Sequence, residues 1–134
     1  MIYGQLLIDG REVEAASGQH FEVLAPATET VLGHAARAGA VDVEQAIAAA
    51  RRGFSVWSKL APKEREAALL RAAELLEQRA ERELLDLLID ESGSTITKAR
   101  FEIRYSVDLL RTAAGEVRRL YGDTFPNDNP QRLS

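Results

Sequence analysis

The chain has 134 residues, which is the length of a single domain, and its formal net charge of −4 gives no broad basic surface for nucleic acid. It contains no cysteine, which excludes disulfides, thiolate catalysis and cysteine–zinc sites within it. No apolar run approaches the roughly 20 residues of a membrane span and the N-terminus lacks signal-peptide features, so the cytoplasm is the expected location and no membrane partner is expected.

The first third of the chain is predicted to form two antiparallel β-hairpins, over residues 4–38. Asp9-Gly10 stands between two short apolar runs and is typical of a type I′ turn, because both of its residues tolerate positive φ. Two further strands are expected at His20 to Leu24 and at Thr30 to Ala38. The turn between them begins at Pro26, which cannot donate to a strand ladder.

From about residue 41 the apolar residues recur at steps of three and four, which indicates helices. Four helices are predicted, over residues 41–57, 62–79, 80–92 and 95–121. Pro62 suits the first turn of the second helix, and Gly93 is placed to end the third. The predicted fold class is therefore α+β, with two N-terminal hairpins followed by four α-helices.

The fourth helix carries the longest apolar stripe. Its members are Ile96, Ala99, Ile103, Val107, Leu110, Ala114, Val117 and Tyr121. Such a stripe can pack into a globule or form a coiled-coil seam, so a self-standing helical interaction or dimerisation module is an alternative. Residues 122–134 contain two prolines and no periodicity, which predicts an extended arm.

Motifs that specify a reaction are absent from the sequence. It has no glycine-rich phosphate loop, no HExxH and no GxSxG. His20 and His34 fall in predicted strands, where histidine more often packs than catalyses. Asp90 and Glu91 end the third helix, where the helix dipole makes acids mildly unfavourable. The residue types alone therefore indicate an α+β domain and no particular chemistry.

Several segments match a known pattern in the right order. They are the hairpin LLIDGREVEA, the turn Ala25–Glu29, the stretch Asp42–Trp57 with its Ala-Ala-Arg-x-x-Phe-x-x-Trp close, Glu64-Arg65, Glu91-Ser92-Gly93 and LLRTAAGEVRRLYGDTFP. Together they resemble the N-terminal segment of the aldehyde dehydrogenase superfamily. The stretch ESGST is further similar to the branch that acts on benzaldehyde and vanillin.

The resemblance implies a fragment of an α/β enzyme that oxidises aldehydes to carboxylic acids with NAD or NADP, without a complete parallel nucleotide-binding sheet. Residues 1–121 would be part of the NAD-binding domain, and residues 122–134 would begin the bridging arm between subunits. The family's catalytic cysteine and glutamate lie downstream, so no catalytic or cofactor-binding residue is expected here and this chain alone is not expected to bind NAD or NADP. The expected partners are the rest of the dehydrogenase chain and further copies in a homo-oligomer.

The resemblance also implies two site assignments. Family members often bind a monovalent cation through the backbone carbonyls before the Pro-Ala-Thr turn and the acid before the glycine stop, which are Val23, Leu24 and Glu91 here. The fourth helix lines the aldehyde entrance, where Phe101 and Tyr105 would fit an aromatic substrate. A solvated glutamate and ordinary core packing are the respective alternatives.

Two departures from the family pattern and one exposed surface are expected. Glu29 stands where glycine is common, so the turn could be built differently, and Ala61 replaces a capping Ser or Asp, at a cost of about 1 kcal/mol. The apolar stripes of the second and fourth helices are expected to face elements that this chain lacks.

Overall fold

Five strands and four α-helices make up the part of the chain that the computed structural model describes, residues 2–122. In chain order they are β1 (Ile2–Gly4), β2 (Leu6–Ile8), β3 (Arg11–Val13), β4 (His20–Ala25), β5 (Thr30–Ala36), α1 (Ala40–Trp57), α2 (Pro62–Arg79), α3 (Leu85–Ser92) and α4 (Ile96–Glu116). Within this range no helix has the length and apolar character needed to cross a membrane. The predicted arm, from residue 123 onward, lies outside the described residues.

Both predicted hairpins are confirmed. β2 pairs antiparallel with β3 around Asp9 and Gly10, whose φ values of 55° and 73° are the two positive angles that a type I′ turn requires. β4 pairs antiparallel with β5, which ends at Ala36, two residues before the predicted end. Local turn chemistry therefore sets this part of the fold.

β1 was not predicted, and it pairs in parallel with β5 to give a three-stranded sheet in the order β1-β5-β4. Ile2 lies opposite Gly33, and a Cβ added at Gly33 would overlap the carbonyl oxygen of Ile2. Glycine inside a strand commonly marks such a close approach of two backbones. The strand was missed because a parallel partner is distant in sequence and leaves no local turn signal.

The predicted break between the second and third helices is wrong, so the structure has three continuous helical segments instead of four. A π-helical turn, Ala80–Leu84, joins α2 directly to α3. The N–H of Leu85 donates to the carbonyl of Ala80, five residues back, as this geometry requires. The extra residue rotates the apolar face that follows, and Leu85 is the buried leucine of α3.

α2 and α4 pack against each other along small residues, which corrects the expectation about their stripes for the buried middle of the contact, whereas Ile96 at the start of the α4 stripe is exposed. Ala73, Ala99 and Ala114 are at most 1% exposed, and Val107 is also buried. Small side chains allow two helix backbones to approach closely. The stripe of α4 that could have formed a dimerisation seam is therefore occupied inside the chain.

α4 ends earlier than predicted. After Glu116 a 3-10 turn, Val117–Arg119, leads to Leu120, whose ψ of 97° is extended backbone. Tyr121, the last predicted member of the stripe, is consequently 87% exposed. The stripe is buried only where α2 lies beside it.

The apolar face of α1 lacks a cover within residues 2–122. Val43 and Ile47 are half exposed and Phe54 is 69% exposed, whereas Ala49 is buried. Exposed apolar surface forgoes about 25 cal/mol for each Å² left in water. The described chain therefore presents an uncovered apolar face on α1.

Asp42 ties the start of α1 to the segment that follows β3. Its Oδ2 accepts the N–H of Gly39 at 2.8 Å and its Oδ1 accepts the N–H of Ala16 at 2.9 Å, and the residue is only 4% exposed. The bond from Gly39 and then the bond from Ala16 favour the charged carboxylate. They hold the pKa of Asp42 below its ordinary value near 3.8.

We expect the stability of the chain to depend on this carboxylate in acid. Because the pKa is lower in the folded state, the stabilisation is complete above the unfolded pKa and is lost as the pH falls through the folded one. The free energy of unfolding in urea should therefore fall more steeply below about pH 4 for the native chain than for Asp42→Asn. Asp86→Asn, on an exposed turn, controls for losing one carboxylate, and parallel curves for the native and Asp42→Asn chains would contradict this role.

Candidate functional site

A β-bulge interrupts the β4–β5 ladder at the two residues whose carbonyls were predicted as cation ligands. Val23 pairs with Gly33 but Leu24 pairs with Val31, so Leu32 is the extra residue on β5. A bulge locally disrupts the regular hydrogen-bond ladder and is common beside functional sites. The bulge thus distinguishes Val23 and Leu24 from the rest of the strand.

The end of α3 packs against the turn that follows β4. Gly93 has a φ of 65° and donates its N–H to the carbonyl of Ile89 at 2.9 Å, which is the left-handed cap predicted for this position. A Cβ added at Gly93 would lie 3.3 Å from the Cβ of Pro26. This contact brings Glu91, two residues before the cap, to the sheet.

A recess of about 180 Å³ lies between the sheet and α3. Val23 of β4 and Glu91 of α3 both line it, together with residues of β1 and β5, whereas Leu24 is not part of the wall. Glu91 is the one acidic residue among the described residues of the wall, most of which is apolar. The structure therefore brings together two of the three predicted cation ligands.

Hard monovalent cations need oxygen ligands, and Glu91 is the one residue of the described wall with a carboxylate side chain. Glu91 forms no side-chain hydrogen bond or ion pair with residues 2–122, so its carboxylate is available. No group of three or more His, Asp or Glu side chains that could hold a metal occurs in that range. Backbone carbonyls of the bulge would have to supply the remaining ligands.

His34 also lines the recess, and the sequence analysis did not assign it there. It pairs with Tyr3 of β1 and Glu22 of β4. Because β1 forms part of the wall and was not predicted, no sequence signal pointed to His34. Its presence gives the recess one imidazole in addition to the carboxylate.

Phe101 and Tyr105 form an aromatic pair on the outer side of α4. Their ring centroids are 5.7 Å apart with an interplanar angle of 9°, and the residues are 63% and 53% exposed. Leu109, one further turn along, is also exposed. The pair is thus outside the core of the described chain and forms an apolar ridge.

The two departures from the family pattern are accommodated locally. Glu29 adopts a φ of 56°, the left-handed conformation that suits glycine, and its N–H donates to the carbonyl of Ala25 at 2.8 Å. Ala61 caps α2 without a side-chain bond, but Glu64 accepts the N–H of Ala61 at 2.8 Å. The turn and the helix start therefore form at the predicted positions.

A sequence profile described as the aldehyde dehydrogenase family matches residues 13–134. The match includes the bulge, the recess-lining part of α3 and the whole of α4. The chain belongs to the aldehyde dehydrogenase family. This confirms the identification made from the sequence.

Characterised relatives include enzymes named for aromatic and for aliphatic aldehydes. The mitochondrial benzaldehyde dehydrogenase of Antirrhinum majus is 37% identical over 134 residues, which are 98% of this chain and 25% of the relative. The vanillin dehydrogenase of a Pseudomonas species is 35% identical over 130 residues, 97% of this chain and 27% of the relative. The glutarate-semialdehyde dehydrogenase of Pseudomonas putida is 34% identical over 128 residues, 96% of this chain and 26% of the relative.

A solved structure has a closely similar fold. The NAD-dependent benzaldehyde dehydrogenase of Corynebacterium glutamicum is 35% identical with a TM-score of 0.86, covering 92% of this chain and 27% of that chain. The chain thus spans about a quarter of the length of the curated relatives it matches. The matched quarter is the N-terminal region of these aldehyde dehydrogenases.

The contact at the end of α3 predicts opposite effects for two glycine substitutions. Gly93→Ala should lower the free energy of unfolding by about 1–2 kcal/mol, because it places a Cβ on left-handed backbone against Pro26. Gly115→Ala should raise it by about 0.5–1 kcal/mol, since this helical position has nothing within 4 Å of an added Cβ. Urea unfolding followed by circular dichroism measures both, and equal stabilities of the two variants would contradict the contact.

Proposed function

We propose that this chain is the N-terminal part of an NAD(P)-dependent aldehyde dehydrogenase that oxidises an aromatic aldehyde to its carboxylic acid, and that it is catalytically incomplete alone. The observation that carries the proposal is the family match along residues 13–134 in a chain without cysteine. The family's covalent chemistry needs a thiolate nucleophile, and no residue here supplies one. The reacting groups must therefore come from outside these residues.

The residues present do not fit NAD or NADP. Within residues 2–122 the only parallel strand pair is β1 with β5, and the sequence has neither GxGxxG nor GxxxxGK to cradle phosphates. The cofactor of the complete protein would be held by other residues. Residues 1–121 would support that nucleotide-binding region, and the exposed face of α1, with Ile47 and Phe54, would pack against it.

The aromatic substrate class is supported by two observations. Two of the relatives are named for benzaldehyde and vanillin, although a third is named for glutarate semialdehyde. Phe101 and Tyr105 present stacked rings on the outer side of α4, where a planar substrate could pack against them. We assign this ridge to the aldehyde entrance of the complete enzyme.

The recess between the sheet and α3 would hold a monovalent cation. The carbonyl of Val23 at the bulge and the carboxylate of Glu91 would be its ligands from this chain, whereas Leu24, the third predicted ligand, is not part of the wall. A cation there would offset both the charge of Glu91 and the partial negative charge at the end of α3. Asp90, exposed one residue earlier, has no such role. Location in the cytoplasm, assembly into a homo-oligomer and the bridging role of residues 122–134 remain predictions.

The incomplete chemistry predicts the result of a simple assay. The purified 134-residue chain, mixed with NAD or NADP and benzaldehyde, should show no reduction of the cofactor at 340 nm. The polypeptide extended by the reading frame that follows Ser134 should show it, and an extended variant with the downstream cysteine changed to alanine is the control. Turnover by the 134-residue chain, or a reading frame that closes at Ser134, would overturn the proposal.

The entrance assignment predicts a substrate-dependent effect in the extended enzyme. Tyr105→Ala should raise KM for benzaldehyde about two- to tenfold, which corresponds to the binding free energy of one aromatic contact. It should leave KM for a short aliphatic aldehyde unchanged. Tyr121→Ala removes a more exposed ring away from the ridge and should change neither constant. Equal increases for both aldehydes would show that Tyr105 supports the fold and does not line the entrance.

A further inference from the structure

Side chains from three other parts of the sheet region converge on the carboxylate of Glu14, the residue that follows β3. Its Oε2 accepts the hydroxyl hydrogen of Tyr3 at 2.8 Å and lies 3.1 Å from Nε2 of His20. Its Oε1 accepts a hydrogen from Nε2 of Gln5 at 2.7 Å. Both carboxylate oxygens are therefore held in place, and an imidazole nitrogen lies beside one of them.

The surroundings of this cluster restrain both the carboxylate and the imidazole. The N–H of Ala16, two residues after Glu14, donates to the buried carboxylate of Asp42 at 2.9 Å. The ring of Tyr3 packs on the ring of His20, with their centroids 4.9 Å apart and their planes at 57°. Because these groups are already ordered, Glu14 and His20 would lose little further freedom on binding a ligand together.

The separation of the two atoms fits two ligands of one metal ion. Ligands bound at about 2.0–2.2 Å and at an angle of about 90–110° lie about 2.9–3.4 Å apart. The separation of 3.1 Å between Nε2 of His20 and Oε2 of Glu14 falls in this range. Imidazole nitrogen and carboxylate oxygen both bind divalent transition-metal ions. Tyr3 and Gln5 hold the carboxylate in the way that hydrogen-bond partners orient a metal-bound carboxylate.

We propose that Nε2 of His20 and the carboxylate of Glu14 bind a divalent transition-metal ion such as zinc, with water at its remaining positions. The ion takes the place of the hydrogen between the two atoms, and His20 keeps its proton on Nδ1. Both side chains reach solvent, at 30% and 50% exposure, so the ion has a path to them. The site shares no residue with the wall of the recess at Glu91 and does not depend on the proposed function.

Titration of zinc chloride into the untagged 134-residue chain, followed by calorimetry, tests the site. The native chain should bind one ion, and His20→Ala and Glu14→Gln should each weaken binding more than about tenfold, because each removes a ligand. Gln5→Ala should weaken binding about tenfold, because it frees the carboxylate that Gln5 orients. Glu12→Gln is the matched control, since it removes an exposed carboxylate of β3 two residues from Glu14 and should leave the affinity unchanged.

A second measurement needs no variant and so does not depend on whether one folds. The chain has two histidines, His20 and His34, whose ring signals can be resolved in nuclear magnetic resonance spectra. Zinc below one equivalent should shift the ring signals of His20 and leave those of His34 in place.

Three results would overturn the proposal. Absence of saturable binding, or an unchanged affinity in His20→Ala, would show that His20 and Glu14 form a hydrogen bond only. A shift of the His34 ring in place of the His20 ring would assign the ion to the recess. Binding of one ion per two chains would show that the ion bridges two copies.

Discussion

The packing of the end of α3, at the left-handed Gly93, beside Pro26 is the constraint on which the placement of the helices against the three-stranded sheet depends. α3 is the helix that packs on this sheet, through β4, whereas α1 contacts β2 of the separate hairpin. α2 continues into α3 through the π-helical turn, and α4 packs on α2, so both follow the position of α3. Glu91 of α3 and Val23 at the bulge both line the recess between this helix and the sheet.

The core of the described chain is built mainly from small side chains. Buried alanines lie in the contact between α2 and α4. Leu85 is the largest of the buried apolar residues. Large apolar residues such as Phe54 of α1 and Phe101 of α4 are instead exposed. Few large apolar side chains are buried and several are exposed. This is expected for the N-terminal quarter of a longer enzyme, because the rest of the enzyme would pack against its outer faces.

Local chemistry predicted most elements, and non-local contacts caused the errors. Asp9-Gly10 and Gly93 are signals of two residues and one residue, each with one favourable backbone geometry, so the turn and the helix end were found. β1 depends on a partner some thirty residues away, and the close approach at Gly33 has a meaning only once that pairing is known. The π-helical turn at Ala80–Leu84 lies in a run of good helix formers, which gives no sign of an inserted residue.

The candidate site, too, could be predicted only in part from the sequence. Val23 and Glu91 were assigned from the family resemblance, and the structure brings them to one recess, but neither residue type would have indicated a ligand alone. His34 was missed since its place on the wall depends on β1. The geometry of the recess thus follows from three-dimensional pairing, while the identity of its acid was available from the sequence.

We propose that the recess between α3 and the bulge holds a monovalent cation. Crystals of the chain grown in rubidium chloride would test it through the anomalous scattering of the ion. A peak is expected within coordination distance of the carbonyl of Val23 and the carboxylate of Glu91, and it should be lost in Glu91→Gln. A recess without a peak, or a peak that persists in Glu91→Gln, would contradict it.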